Sequence, residues 1–269
     1  MTGSGNSIQT TSSGQLLNLG GGQIGSGGVN FASVTGTGTV TGDAISLNDV
    51  DGNSVTLGTV AIAGASGDGI NIRGGSTTNV TIPTATINNT TGDGIELNGS
   101  TGSFALNGGS IGNSNDPAGD GVNVTGGSGN VTIAATIAKT TAGNPVDVSN
   151  HTAGTILFSN TVSASGGSNG IALTNNGGTT INFTGALTLN TSSAGTTGFS
   201  ATGGGTVSAT AGGSTINSGT ATALNISNTN IGAGDVTFQS INSSGGSATG
   251  IILDTTGSGA GLHVTGNGP

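Results

Sequence analysis

Cysteine, tryptophan and tyrosine are absent from this chain, and Arg73 and Lys139 are its only basic residues in 269. Without cysteine there is no thiol nucleophile and no Cys-based zinc site. Without Trp or Tyr there is no exposed aromatic platform on which sugar rings or nucleobases could stack. A formal net charge of −9 disfavours nucleic acid and other polyanions. No stretch approaches the roughly 18 consecutive apolar residues of a membrane-spanning helix. Residues 1–15 lack the basic and apolar regions of a secretory leader, and no lipidation signal closes the chain. The segment is therefore expected neither to insert in a membrane nor to export itself.

What the chain has is glycine and a period. With 57 Gly, 31% hydrophobic and 5% charged residues it would read as a linker if its apolar residues were scattered. They recur instead as short apolar pairs whose first members are Leu17, Ile45, Ile70, Ile95, Val122, Val146, Ile171, Phe199, Leu224 and Ile251, spaced by 24 to 28 residues. A period of that size marks a solenoid, in which each coil covers the apolar edge of the one before. Between glycine-rich turns, apolar and polar residues alternate over three to five positions, too short for helices.

Three strands fit each period. In one coil, strand A is Ile70-Asn71-Ile72, strand B is Val80-Thr81-Ile82 and strand C ends Thr86-Ile87. The coils are too long for a three-hexapeptide left-handed helix and lack the nonapeptide of calcium-binding rolls. The expectation is an all-β, right-handed parallel β-helix (β-solenoid) of about ten coils, roughly 45 Å long. Residues 1–15 would be a lead-in or partial cap, and 16–269 a single repeat domain ending at Gly266-Asn267-Gly268-Pro269, after strand B of its tenth coil. All six Phe fall at inward positions: Phe31, Phe104, Phe158, Phe183 and Phe238 in strand B, and Phe199 in strand A.

The coil openings Gly67-Asp68-Gly69-Ile70, Gly92-Asp93-Gly94-Ile95 and Gly119-Asp120-Gly121-Val122, with Thr/Asn/Ser-rich connections, resemble the right-handed β-helix repeats of large bacterial extracellular proteins. These include adhesins and autotransporter-type passengers, which share their fold with pectin-degrading enzymes. The resemblance implies a cell-surface or secreted location.

Two polar ranks are candidate sites. Two positions before each strand-A anchor from Ile45 onward stand Asp43, Asp68, Asp93, Asp120, Asn144, Asn169, Thr197, Thr222 and Thr249. All three residue types can accept a backbone N–H two residues on, capping their own turn. The other reading is a calcium ladder through Asp43, Asp68, Asp93 and Asp120, because hard oxygen ligands in file suit that ion. Asp49-Val50-Asp51-Gly52-Asn53 is a further loop of the same character, read as a solvated turn for want of a distal Glu. In strand C, the residue before the inward aliphatic gives Ser33, Ala61, then an outward hydroxyl file of Thr86, Ser110, Thr136, Thr161, Thr188, Thr215 and Ser240, a possible interaction surface.

Chemistry is sparse. Lyase-like catalysis needs a basic residue beside acidic calcium ligands, and Arg73 and Lys139 lie in separate turns more than two coils apart in sequence. His151 and His263 sit in Asn-His-Thr and Leu-His-Val contexts, away from any Ser-His-Asp grouping. The expected role is a structural or interaction module: a segment of an adhesin stalk or matrix fibre. With no capping helix visible, its neighbours would be flanking repeats or further copies joined end to end. A polysaccharide-active enzyme and an ice- or surface-binding module using the strand-C file are the alternatives.

Overall fold

The computed structural model describes residues 5–266; residues 1–4 and 267–269, at the outer ends of the expected lead-in and final turn, lie outside the described residues. Thirty strands form three ten-stranded sheets, and every strand pairs in parallel with its counterpart one coil away. The molecule is a parallel β-solenoid of about ten coils with three strands per coil and no helix among the described residues. Within the expected lead-in, Ser7–Thr10 is itself a strand and pairs with Ser33–Val40 in the strand-C sheet.

The period observed in sequence is the period of the core. Leu17 pairs with Ile45, Ile45 with Ile70, Ile70 with Ile95 and Ile95 with Val122, and the same file continues through Phe199, Leu224 and Ile251. The next inward file runs Leu19, Leu47, Ile72, Leu97 and Val124. Stacking like on like removes both faces of each side chain from water, at about 25 cal/mol per Å² of apolar surface. All six Phe are buried, and four form a chain: Phe158 stacks on Phe183 with centroids 4.9 Å apart, Phe183 meets Phe199 edge-on at 5.7 Å, and Phe199 meets Phe238 edge-on at 6.2 Å.

The corner after strand A follows a rule. Four residues beyond each anchor stand Gly21, Asp49, Gly74, Gly99, Gly126, Asn150, Asn175, Gly203, Asn228 and Thr255, and all ten have positive φ. Gly, Asn and Asp are the residues that enter the left-handed region at least cost, so this position turns the chain in every coil. The Asp49–Asn53 segment is correspondingly not a solvated turn throughout. The strand Ile45–Gly52 runs through it, with Asp49 at φ 56° and Asp51 Oδ1 accepting the Thr77 hydroxyl at 2.8 Å.

Two irregularities interrupt the ladders. Thr39 pairs with Gly64 after a bulge that follows Gly36, and the strand Asn230–Phe238 places Ile231 on Val207 but Val236 on Ala209. Gly232 to Asp235 stand opposite Ser208 alone, three residues more than the partner strand supplies, as an outward excursion of strand B.

Candidate functional site

The Gly-Asp-Gly openings explain themselves once the coils are stacked. Asp43 Oδ1 accepts the N–H of Asp68 at 3.0 Å, Asp68 Oδ1 that of Asp93 at 2.7 Å, Asp93 Oδ1 that of Asp120 at 2.6 Å, and Asp120 Oδ1 that of Asn144 at 2.7 Å. The expected cap is therefore corrected: each carboxylate satisfies a backbone N–H of the next coil, not of its own turn. Stacking at about 4.8 Å brings the next coil's N–H within reach of a carboxylate held on a single methylene.

The flanking glycines make room for this bond. A Cβ on Gly92 would lie 2.1 Å from Asp68 Oδ1, and one on Gly94 would lie 2.5 Å from the Gly121 carbonyl oxygen and 2.7 Å from Ile111 Cγ2. The first glycine admits the carboxylate of the coil before. The second admits the backbone of the coil after.

The remaining oxygens of the row are largely committed. Arg73 pairs with Asp43 Oδ2 at 3.2 Å, Asn71 Nδ2 donates to Asp68 Oδ2 at 2.6 Å, and Asn123 Nδ2 donates to Asp93 Oδ2 at 2.9 Å. Among the described residues no group of three acidic or histidine side chains converges around Asp43, Asp68, Asp93 and Asp120, the row considered from sequence as a calcium ladder. Their lone pairs face N–H donors instead.

Beside this row runs the outward file of strand A, in which Ser46, Asn71, Glu96, Asn123 and Asp147 pair in succession. Six carboxyl groups, Asp43, Asp68, Asp93, Glu96, Asp120 and Asp147, thus share one edge. Burial pushes Asp93, Glu96 and Asp147 upward from the usual carboxylate range and Asp120 up to about 6, with neighbouring carboxylates adding to each rise.

The hydroxyl file is real in part. Thr86 pairs with Ser110, Ser110 with Thr136, and Thr161 follows Thr136. There it ends, because Thr188 pairs with Ser163, two residues along, and continues through Thr215 to Ser240 in a different file. At the other end Thr35, not Ser33, is the partner of Ala61. The slip arises because strand C has two inward slots. Val162 pairs with Leu187 and the small Ala164 with Leu189, whereas alignment by the larger aliphatics joins Val162 to Leu189. The second file is flanked by an asparagine ladder, in which Asn217 Nδ2 donates to Asn190 Oδ1 at 3.3 Å and Asn242 Nδ2 to Asn217 Oδ1 at 3.0 Å.

Lys139 occupies an inward slot in line with Ala164, Leu189, Ile216 and Ile241, and is 0% exposed. Its Nζ reaches Asp116 Oδ2 at 3.0 Å, the Thr141 hydroxyl at 2.7 Å and the carbonyls of Thr141 and Ala142. Burial alone would raise Asp116. The N–H groups of Thr141 and Thr140, the Thr141 hydroxyl and Lys139 outweigh it and hold the carboxyl well below its usual range. The sequence placed Lys139 in a turn; its amine is instead the internal cross-brace between two turns. Asp116, Thr141 and Ala142, but not the buried Lys139, line an open groove of about 530 Å³ together with Thr39, Asn89, Thr91 and Asn115.

The two histidines are separated. His151 is buried with Nδ1 3.0 Å from the Thr179 hydroxyl, and burial lowers its proton affinity against backbone hydrogen bonds to Gly129 and Ala153. His263 is exposed, 3.4 Å from Asp235 in the last coil.

The class defined by this geometry is a three-sheet parallel β-solenoid with a carboxylate-capped edge. No family model, curated protein or solved structure matches the chain.

Proposed function

We propose that the chain is a structural rod, a segment of a bacterial extracellular adhesin stalk or matrix fibre. The observation carrying this reading is the continuity of three parallel ladders through ten coils, interrupted only by two bulges. Pulling along the rod loads the hydrogen bonds of all three sheets together, with stacked Ile, Val, Leu and Phe resisting water entry.

The last coil supports an axial neighbour, either flanking repeats or a second copy. Ile251, Leu253 and Val264 are 41%, 44% and 52% exposed and are the large apolar side chains left open among the described residues. Strand edges in parallel sheets template further strands, while the acidic sides discourage lateral association. Electron microscopy of concentrated protein, with ultracentrifugation, tests the reading. Rods or thin filaments that Leu253→Asp shortens support it; globular monomers or sideways aggregates contradict it. A reducing-end assay on pectin-like polymers and a thermal-hysteresis assay address the enzymatic and ice-binding alternatives, and activity in either would replace the structural reading.

A further inference from the structure

Asn71 holds an unresolved valence at the centre of the acidic edge. The side chain is 2% exposed; its Nδ2 donates to Asp68 Oδ2 at 2.6 Å and to Glu96 Oε2 at 2.7 Å, while its buried Oδ1 has no donor. Asp68 Oδ2 and Glu96 Oε2 thus crowd around the same amide nitrogen. Two carboxylates this close repel unless one carries a proton, and a buried acceptor without a donor costs about 1–3 kcal/mol. A small ligand between the carboxyls removes the first defect, and, once the carboxamide turns, it can remove the second.

A metal ion is poorly suited to that place. Asp68 Oδ1 is occupied by the Asp93 N–H at 2.7 Å, Asp68 Oδ2 and Glu96 Oε2 face the same amide nitrogen, and no group of three acidic ligands converges among the described residues. A proton needs only one acceptor lone pair on each side. Asp68 accepts N–H donors at 2.7 and 2.6 Å, whereas Glu96 accepts one at 2.7 Å and one only at 3.5 Å, so Glu96 is the carboxyl less held in its charged form and the one to carry it. The Glu96 O–H then donates to Asp68 Oδ2 or, after the carboxamide rotates, to Asn71 Oδ1.

We propose that Asp68, Asn71 and Glu96 form a proton-binding site that makes the acidic edge a pH-sensitive brace, tightening as the surroundings acidify. The inference is independent of the mechanical role. The groups facing Glu96 are Asp68 and Asp93 from the turns, Asn71 and Asn123 from adjacent strands, and Asn98, whose Nδ2 lies 3.5 Å from Oε1. Arg73 is drawn to Asp43 and Lys139 to Asp116, so neither cation pairs with Glu96. Glu96 is raised, as are Asp93, Asp120 and Asp147 nearby. A carboxyl raised on folding holds a proton where the unfolded chain has lost it. Stability therefore rises as pH falls from about 7, through the raised values, and levels near the unfolded value of about 4.

The test is a carboxyl ¹³C and side-chain amide ¹⁵N titration of the full chain, with melting at about pH 7.5 and about pH 5. The expected result is a Glu96 midpoint above about 4.3, an Asn71 amide shift with the same midpoint, and a higher Tm at the lower pH. Glu96→Gln should raise Tm at the higher pH and shrink the gain on acidification. A Glu96 midpoint at or below the ordinary value, or an Asn71 amide indifferent to pH, would overturn the proposal. So would calcium chloride raising Tm at about pH 7.5 with reversal by EDTA, since a cation would then be the ligand. If Glu96→Gln fails to fold, the wild-type Glu96 and Asn71 resonances decide alone.

Discussion

Coils 2 to 5 and coils 8 to 10 solve one corner in two ways. In the first group the position before strand A is Asp43, Asp68, Asp93 or Asp120, and each carboxylate reaches a backbone N–H of the following coil. In the second it is Thr197, Thr222 or Thr249, and among the described residues no such side-chain bond joins the coils, although the backbone ladder continues with Gly198 N–H to the Thr222 carbonyl at 3.2 Å. Asn144 and Asn169 lie between, joined amide to amide at 3.0 Å. The fold thus needs only the backbone ladder and the apolar stacks. The carboxylate row is an addition that strengthens neighbouring coils locally and concentrates charge in doing so.

Substitutions can separate what is common to both regions from what is particular to one. The largest effect belongs to the common core: Ile95→Asp, at a fully buried site, should cost about 3 kcal/mol or more, while the adjacent Glu96→Gln should change stability by under about 0.5 at pH 5. Equal losses in urea unfolding would show the inward and outward assignment to be false. Next comes the brace particular to the first region. Lys139→Ala leaves the Asp116 carboxylate buried and unpaired and should cost about 3 kcal/mol, whereas Lys139→Met combined with Asp116→Asn should recover most of it. A single substitution as mild as the double would show that the pair contributes little.

Smaller effects probe the corner itself. Asp93→Ala should cost about 1 kcal/mol by freeing the Asp120 N–H, Asp93→Asn should be tolerated, and Thr222→Ala should fall within about 0.5. EDTA should leave all three melting curves unchanged. If Thr222→Ala cost as much as Asp93→Ala, the two regions would not differ as described. The smallest effect is a gain: Thr255 is β-branched at φ 56°, and Thr255→Gly should stabilise the last coil by about 0.5–1 kcal/mol, read as slower amide exchange there.

Much of this architecture was legible because burial writes a period. The ten strand-A anchors and the six inward Phe follow from apolar spacing alone, since a residue facing water would carry no such constraint. What escaped depends on relations between coils. The Asp side chain can cap its own turn or the next one, and only the stacking distance chooses. The strand-C hydroxyls were misaligned because Ala164 fills an inward slot as quietly as Leu189 fills it loudly. The inward place of Lys139 is hidden because charge argues for solvent, and its partner Asp116 lies 23 residues away in sequence. The left-handed corner left a signal that could have been found: Gly, Asn or Asp four places after nine of the ten anchors, with Thr255 the exception.

The interlocking of each Gly-Asp-Gly with the coil before and after it bears on how such a chain changes over generations. Every carboxylate finds its N–H in whichever coil comes next, so the joint between coils is the same joint repeated from Asp43 to Asn144. Unequal recombination between two such openings would remove or duplicate a whole coil and leave a joint of the same kind at the seam. The length of the molecule becomes a heritable variable that moves in steps of about 4.8 Å, with no new interface to be invented at each step.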